Sequence, residues 1–184
     1  MGRPSNRPAR RGQILHAFAT VLADHGFAGA TIAAVASEAG IAPGLIHHHF
    51  ENKRELLEAL LTDLIARFRR RVRDYEQGDD RLLAYIDGAL KLDDRADVAA
   101  ARSWVGIFAE AIRNPSLFRQ VRRLIDAEIE SIGERSKGRL SEQEAGAILA
   151  FIVGALVVGA FAPKKTAGFA APALRKLTRA MLDS

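Results

Sequence analysis

The 184-residue sequence has no cysteine, and it holds only one tryptophan, two tyrosines and two methionines. Without a thiol, disulfide cross-links, thiol nucleophiles and cysteine-ligated zinc are excluded. The composition suits a reducing cytoplasm, where this chain is expected. No alternating apolar and polar run lasts long enough for a strand, which leaves an all-α fold as the expectation. Also missing are a Gly-rich phosphate loop, a nucleophile–base pair and a carboxylate–histidine metal constellation. The residues therefore point to no enzyme, no cofactor and no metal. Repeats and low-complexity linkers are absent as well.

What is present is apolar and basic. Hydrophobic residues make up 48% of the chain, enough to bury a core, and the net charge of +5 with a pI near 10 favours an anionic partner. Between Met1 and Arg54 the basic residues are Arg3, Arg7, Arg10, Arg11, Lys53 and Arg54, against Asp24, Glu38 and Glu51. A solvated tail could carry the same leading arginines. They are not expected to open a secretory signal, because His16 and Asp24 break the following stretch and its apolar residues recur at helical spacing. The uncharged stretch from Ala145 to Ala162 reaches the lower limit for a membrane span. However, Ser141 and Glu144 form a capping box ahead of it, and no aromatic belt flanks it. The reading is a helix buried on all sides, with no membrane contact.

Helical punctuation organises the whole chain. A first helix runs from about Arg10 to His25, with Ile14, Leu15, Phe18 and Leu22 on one face, and Gly26 ends it. Thr31 caps a second helix carrying Ile32, Val35, Ala36 and Ala39. Gly40 permits a left-handed turn, and Pro43 opens a short third helix ending near Phe50. Asn52 and Glu55 start a fourth helix whose seam is Leu57, Leu60, Leu61, Leu64, Phe68, Val72 and Tyr75. Further helices are expected over Arg81 to Leu92, Ala96 to Arg113, Asn114 to about Lys137, Glu142 to Phe161 and Pro172 to Leu182.

The second and third helices, joined by a tight glycine turn, form a helix-turn-helix, in which the second member enters the DNA major groove. The stretch from Thr31 to Phe50, TIAAVASEAGIAPGLIHHHF, followed by Asn52-Lys53-Arg54-Glu55-Leu56-Leu57, closely resembles the signature of the tetracycline-repressor (TetR) family. Gly26-Phe27 and Ala30 fit it too, and the match spans about Arg10 to Leu61. Its Pro-Gly-Leu-x-His-His-His-Phe version is most similar to the betaine-inhibitor (BetI) branch, as is Ser103 to Pro115. Two positions depart from the family pattern. Ala42 stands where a capping Ser or Thr is common, and His47 where Tyr is usual. The latter leaves the target sequence open.

The resemblance implies a homodimer with an N-terminal helix-turn-helix domain (1–55) and a C-terminal helical effector and dimerisation domain (56–184), the boundary lying in the long fourth helix. It implies a DNA-binding transcriptional regulator, a repressor released from a palindromic double-stranded operator by a small-molecule effector. The candidate DNA-contacting residues are Thr31, Pro43, Gly44, Leu45, His47, His48 and Lys53, with Arg3, Arg7 and Arg11 from the basic start. Thr31 and Lys53 stand at helix N-termini, which favour phosphate. Gly44 allows close approach, and His47 and His48 can reach phosphates or base edges. His49 is expected to pack beneath the helix. The three histidines are adjacent, whereas paired helical metal ligands favour i, i+4 spacing, so a metal site is not expected.

For the effector, Tyr85, Trp104, Phe108 and Glu110 offer aromatic faces and a carboxylate suited to a cation. The same aromatics at helical spacing equally describe core. Phe151, Gly154, Ala155, Val158, Leu174 and Leu177 are the expected dimer contacts. The cluster Arg67, Arg69, Arg70, Arg71 and Arg73 wraps most of one helix surface and has no assigned role. An enzyme or carrier with a basic start, and a membrane-associated regulator, are the competing classes.

Overall fold

The computed structural model describes residues 7–78, 80–90 and 95–183, and of residues 95–97 the backbone alone. Nine α-helices follow one another among the described residues: α1 Arg7–Gly29, α2 Ile32–Ala39, α3 Pro43–His47, α4 Lys53–Tyr75, α5 Arg81–Ala89, α6 Arg95–Ala111, α7 Pro115–Arg135, α8 Glu142–Phe161 and α9 Ala170–Leu182. A single 3₁₀ turn, Pro163–Lys165, lies between α8 and α9. The chain divides into two compact units, Met1–Leu64 and Ile65–Ser184. The division falls inside α4 and not at residue 55. Leu56, Leu57, Leu60 and Leu61 are all buried, so the first turns of α4 belong to the core of the first unit.

Local capping chemistry sets most of the helix starts. The Thr31 hydroxyl accepts from the Ala34 N–H at 3.1 Å, and Asn52 accepts from the N–H groups of Arg54 and Glu55 at 2.9 and 3.0 Å. Asn114 accepts from Ser116 and Leu117 at 3.1 and 3.2 Å, with Pro115 in the first turn. Ser141 and Glu144 cap each other reciprocally, and the bonds from Ser141 hold the Glu144 carboxyl below its ordinary value. Each side chain satisfies backbone donors that a helix start leaves open. α1 begins three residues earlier than the pattern indicated, and its ladder is interrupted at Gly26 (φ 66°, ψ 176°), where the sequence placed its end. α3 stops at His47, short of Phe50, because His48 already forms the C-cap.

In the second unit, α5 lies against α4 at Gly88. A Cβ on this residue would stand 2.9 Å from the Cα of Val72. Arg71 of the basic cluster then donates from Nε to the Gly88 carbonyl at 2.7 Å. Around this contact Val72, Leu82, Tyr85, Ile86, Ile132, Ile148, Ile152 and Leu174 form one core.

α8 departs from the reading of a helix buried all round. Ala145, Ile148, Ile152, Ala155, Leu156 and Gly159 face the core, but Gly154, Val157, Val158 and Phe161 are exposed, Phe161 at 79%. Among the described residues it is the one helix long and apolar enough to cross a membrane by length and composition. Two of the expected dimer contacts belong to the inner side. Ala155 and Leu174 are buried in the core of their own unit, whereas Gly154, Val158 and Leu177 are exposed and Phe151 is half-buried. A helix apolar on every side gives periodicity no phase, so the sequence could not separate the two faces.

Filling the α4–α5 contact should be felt as strain. Gly88→Ala is expected to cost about 1–3 kcal/mol, read as a lowered urea midpoint. An unchanged midpoint would show that the two helices separate freely.

Candidate nucleic-acid interface

α3 has only five residues, too few to be stable alone. Side chains beneath it and clamps from its neighbours hold it in place. Ile46 and Phe50 are completely or almost completely buried. Gly40 closes α2 in the left-handed conformation (φ 64°, ψ 36°), and its N–H donates back to the end of that helix. Gln13 of α1 donates to the Ala39 carbonyl at 2.7 Å, which fixes the turn from the other side. Ala42 makes no side-chain cap, as its methyl group requires, and Pro43 opens the helix in its place.

With Ile46 and Phe50 turned inward, Pro43, Gly44, His47 and His48 are exposed and Leu45 is half-buried. A Cβ at Gly44 would meet nothing within 4 Å. The fold itself therefore has no need of glycine at this point. His49 is half-buried, as expected for the histidine beneath the helix. Desolvation, then the charges of Arg7 and Arg11, hold its imidazole below the ordinary 6.5. The arginines at the start of α1 thus bring positive field to the end of α3.

Two basic residues have roles that the sequence pattern did not indicate. Arg11 donates to the His49 carbonyl at 2.7 Å, lies 4.0 Å above the Phe50 ring and stands 3.7 Å from Glu55. It clamps α1 to the end of α3 and is not part of a free basic arm. Lys53 donates to the carbonyls of Phe27 and Ala28 at 2.6 and 3.3 Å, its ammonium 4.3 Å from the Phe27 ring centre. Two of its three donors are thereby committed to the last turn of α1, where the motif pointed to phosphate. Thr31 is exposed at the start of α2 with its hydroxyl already capping. Arg7 is exposed, and Arg3 lies outside the described residues.

In the second unit a cavity of about 560 Å³, its open mouth included, is lined by Ile65, Phe68, Arg71, Trp104, Phe108, Leu124, Ile125, Glu128, Leu149, Ile152, Val153 and Leu156. Trp104 and Phe108 lie side by side within it, their rings tilted by 31° and ring centres 5.6 Å apart. Of the four residues expected here, these two line the cavity and Glu110 does not; Tyr85 stands behind its carboxylate. That carboxylate is Glu128, 6% exposed, which accepts from the Tyr85 hydroxyl at 3.0 Å and stands 3.4 Å from Arg69. Burial and the neighbouring Glu128 push the Tyr85 phenol far above its ordinary value, so it remains a donor. Glu128 sits among other charged residues of α7, and nothing in its spacing distinguishes it. No three His, Asp or Glu side chains gather for a metal among the described residues.

The family model for tetR-family bacterial regulatory proteins matches residues 14–60. The HTH-type transcriptional regulator BetI of Escherichia coli is 34% identical over 157 residues, 80% of each chain. The chain belongs to the tetR family of bacterial regulatory proteins and is a DNA-binding, helix-turn-helix transcription regulator similar to BetI. Among solved structures, a TetR-family regulator from Rhodococcus sp. is 26% identical with a TM-score of 0.76, covering 95% of this chain and 99% of that one. A transcriptional regulator from Saccharomonospora viridis, solved in complex with choline, has a TM-score of 0.77 at 21% identity, covering 94% of this chain and 96% of that one.

The depressed His49 value carries a sign. The unfolded chain takes up this proton first, so the contribution to stability is present above pH 6.5 and is lost as pH falls through the folded value. His49→Gln should therefore flatten the loss of stability as pH falls below about 6.5, measured as denaturation midpoints. An unchanged slope would place the titration elsewhere.

Proposed function

We propose that this regulator is a repressor that binds a palindromic operator as a homodimer through the exposed face of α3, and that a small molecule in the second unit releases it. The observation that carries the DNA reading is the division of α3 into two sides. Ile46 and Phe50 are committed to packing, while Gly44, His47 and His48 remain for an outside surface. Arg7 adds charge near that surface, and phosphate contacts of this kind make affinity salt-dependent. The aromatic cavity with Trp104 and Phe108 is the place for the effector. The choline found in the Saccharomonospora protein favours a small organic molecule of this size class.

Pairing is assigned to the outer faces of α8 and α9, where Phe151, Gly154, Val157, Val158, Phe161 and Leu177 form an apolar surface. Two-fold pairing would place two recognition helices one turn of DNA apart, roughly 34–36 Å. Selection of bound duplexes from a random pool tests the whole reading, a two-fold symmetric site being the expected product. An asymmetric site, or no enrichment, would overturn it.

Gly44 separates stability from recognition. An alanine there fits the open space and is a better helix former, so Gly44→Ala should raise stability by up to about 1 kcal/mol. If the backbone approaches DNA at this residue, operator affinity should fall in the same variant. Equal or tighter binding would remove Gly44 from the interface.

Gly154→Leu should fill the outer face of α8 without touching the core, since nothing lies within 4 Å of its Cβ position. Sedimentation should then show a shift to monomer with weakened operator binding. A stable dimer of unchanged affinity would move the interface elsewhere.

A further inference from the structure

The aromatic cavity is not alone. A second chamber of about 590 Å³, its open mouth included, adjoins it, lined by Phe68, Arg69, Val72, Arg73, Glu76, Arg81, Tyr85, Glu128, Ser131 and Arg135. The two share Phe68 and Glu128. One is apolar and aromatic; the other presents four guanidinium groups against two carboxylates.

Both carboxylates are already engaged. Glu128 is bound by Tyr85 and Arg69, at 3.0 and 3.4 Å. Glu76 accepts from Arg135 Nε at 2.5 Å, and Arg135 bonds in addition to Ser131 and lies 5.0 Å from the Tyr85 ring centre. Arg81 reaches Glu76 only at 4.0 Å, beyond hydrogen-bond range. Arg73 makes no ion pair or side-chain hydrogen bond among the described residues. The chamber therefore keeps surplus positive charge and unused guanidinium donors at its rim, with Arg69 and Arg135 fixed deeper inside.

We propose that this second chamber receives the anionic head, a carboxylate or a group of like geometry, of an amphipathic effector whose apolar body lies between Phe68, Trp104 and Phe108. This rests on the reading of the second unit as the effector-binding half. A guanidinium matches a carboxylate through paired N–H donors, and the chamber offers several beside the apolar cavity with which it shares Phe68 and Glu128. A quaternary ammonium is the alternative that the aromatic rings would admit. It would find Glu128 already neutralised by Arg69 and a second cation, Arg71, on the same wall. The charge arrangement selects an anion.

Three probes with one tail and different heads separate these cases: octanoate, octan-1-ol and octyltrimethylammonium, titrated calorimetrically into the intact protein without DNA. Octanoate is expected to bind at least about tenfold more tightly than octan-1-ol, with octyltrimethylammonium weakest. The Arg73→Gln and Arg81→Gln double variant, altered only at exposed rim residues, should bring octanoate down to the affinity of octan-1-ol and leave the alcohol unchanged. Equal binding of all three, preference for the ammonium, no heat from octanoate at millimolar concentration, or a double variant that keeps its preference would each overturn the proposal. Adding the same probes to operator-bound protein reads the other claim. Octanoate that binds but leaves DNA in place would refute the effector reading while the anion chamber stood. Release by octyltrimethylammonium, with octanoate inert, would do the reverse.

Discussion

A helix of five residues cannot hold its own shape in water, because nucleation consumes more conformational freedom than so few hydrogen bonds return. The proposed DNA-contacting surface depends on how the rest of the first unit overcomes this. Ile46 and Phe50 supply burial, and Pro43 fixes the backbone at the start. Arg11, Gln13 and Lys53 supply bonds to the carbonyls of His49, Ala39, Phe27 and Ala28. Each bond satisfies a carbonyl that helix termination had left without its partner or that sits in a connecting turn. Cationic donors make such bonds stronger than neutral ones. Part of the positive charge of this unit is therefore structural. It rigidifies the platform from which the exposed histidines project.

The second unit uses the same device in a buried setting. Glu128 is a carboxylate taken almost entirely out of water, a position tolerated only with hydrogen bonds and an opposite charge. Tyr85 and Arg69 provide both, and they come from helices α5 and α4. The pair ties three helices together where the two cavities share Phe68 and Glu128. Arg71, one turn away from Phe68 on α4, lines the aromatic cavity as well and holds α5 at the Gly88 carbonyl. The arginine cluster thus resolves into separate tasks: Arg69 and Arg71 build the unit, and Arg73 stays at a chamber rim.

How much of this could be read in the sequence followed from the range of each signal. Caps are local, and Thr31, Asn52, Asn114 and Ser141 each announced a helix start within three residues of its bonded N–H group. The Gly40 turn and the opening Pro43 are local too. The helix-turn-helix and the all-α fold were legible for that reason. Glu128 was not, because its partner Tyr85 is 43 residues away and its burial exists only once α5 and α7 meet. For Arg11 and Lys53 the sequence showed a possible phosphate contact and not the backbone contacts. A cation beside an anion-binding motif points to phosphate, and no sequence pattern shows which backbone carbonyls will come within reach. For Ala155 the difficulty was phase, since every side of α8 is apolar; Leu174 stands on the apolar stripe of amphipathic α9, where periodicity marks a buried face but not what covers it.

The two apolar faces of α8 bear on more than packing. A protomer standing alone presents Gly154, Val157, Val158 and Phe161 to water, and a continuous apolar surface of this kind favours association of any sort. In the proposed dimer the correct partner must arrive before an incorrect one. Pairing that stabilises the folded chain also makes its resistance to unfolding rise with its own concentration. Cells making little of this regulator would therefore hold a larger fraction of unpaired, degradation-prone chains. The fraction competent to grip a two-fold site would climb more steeply than synthesis itself, so a threshold in gene control would arise from the outer side of one helix.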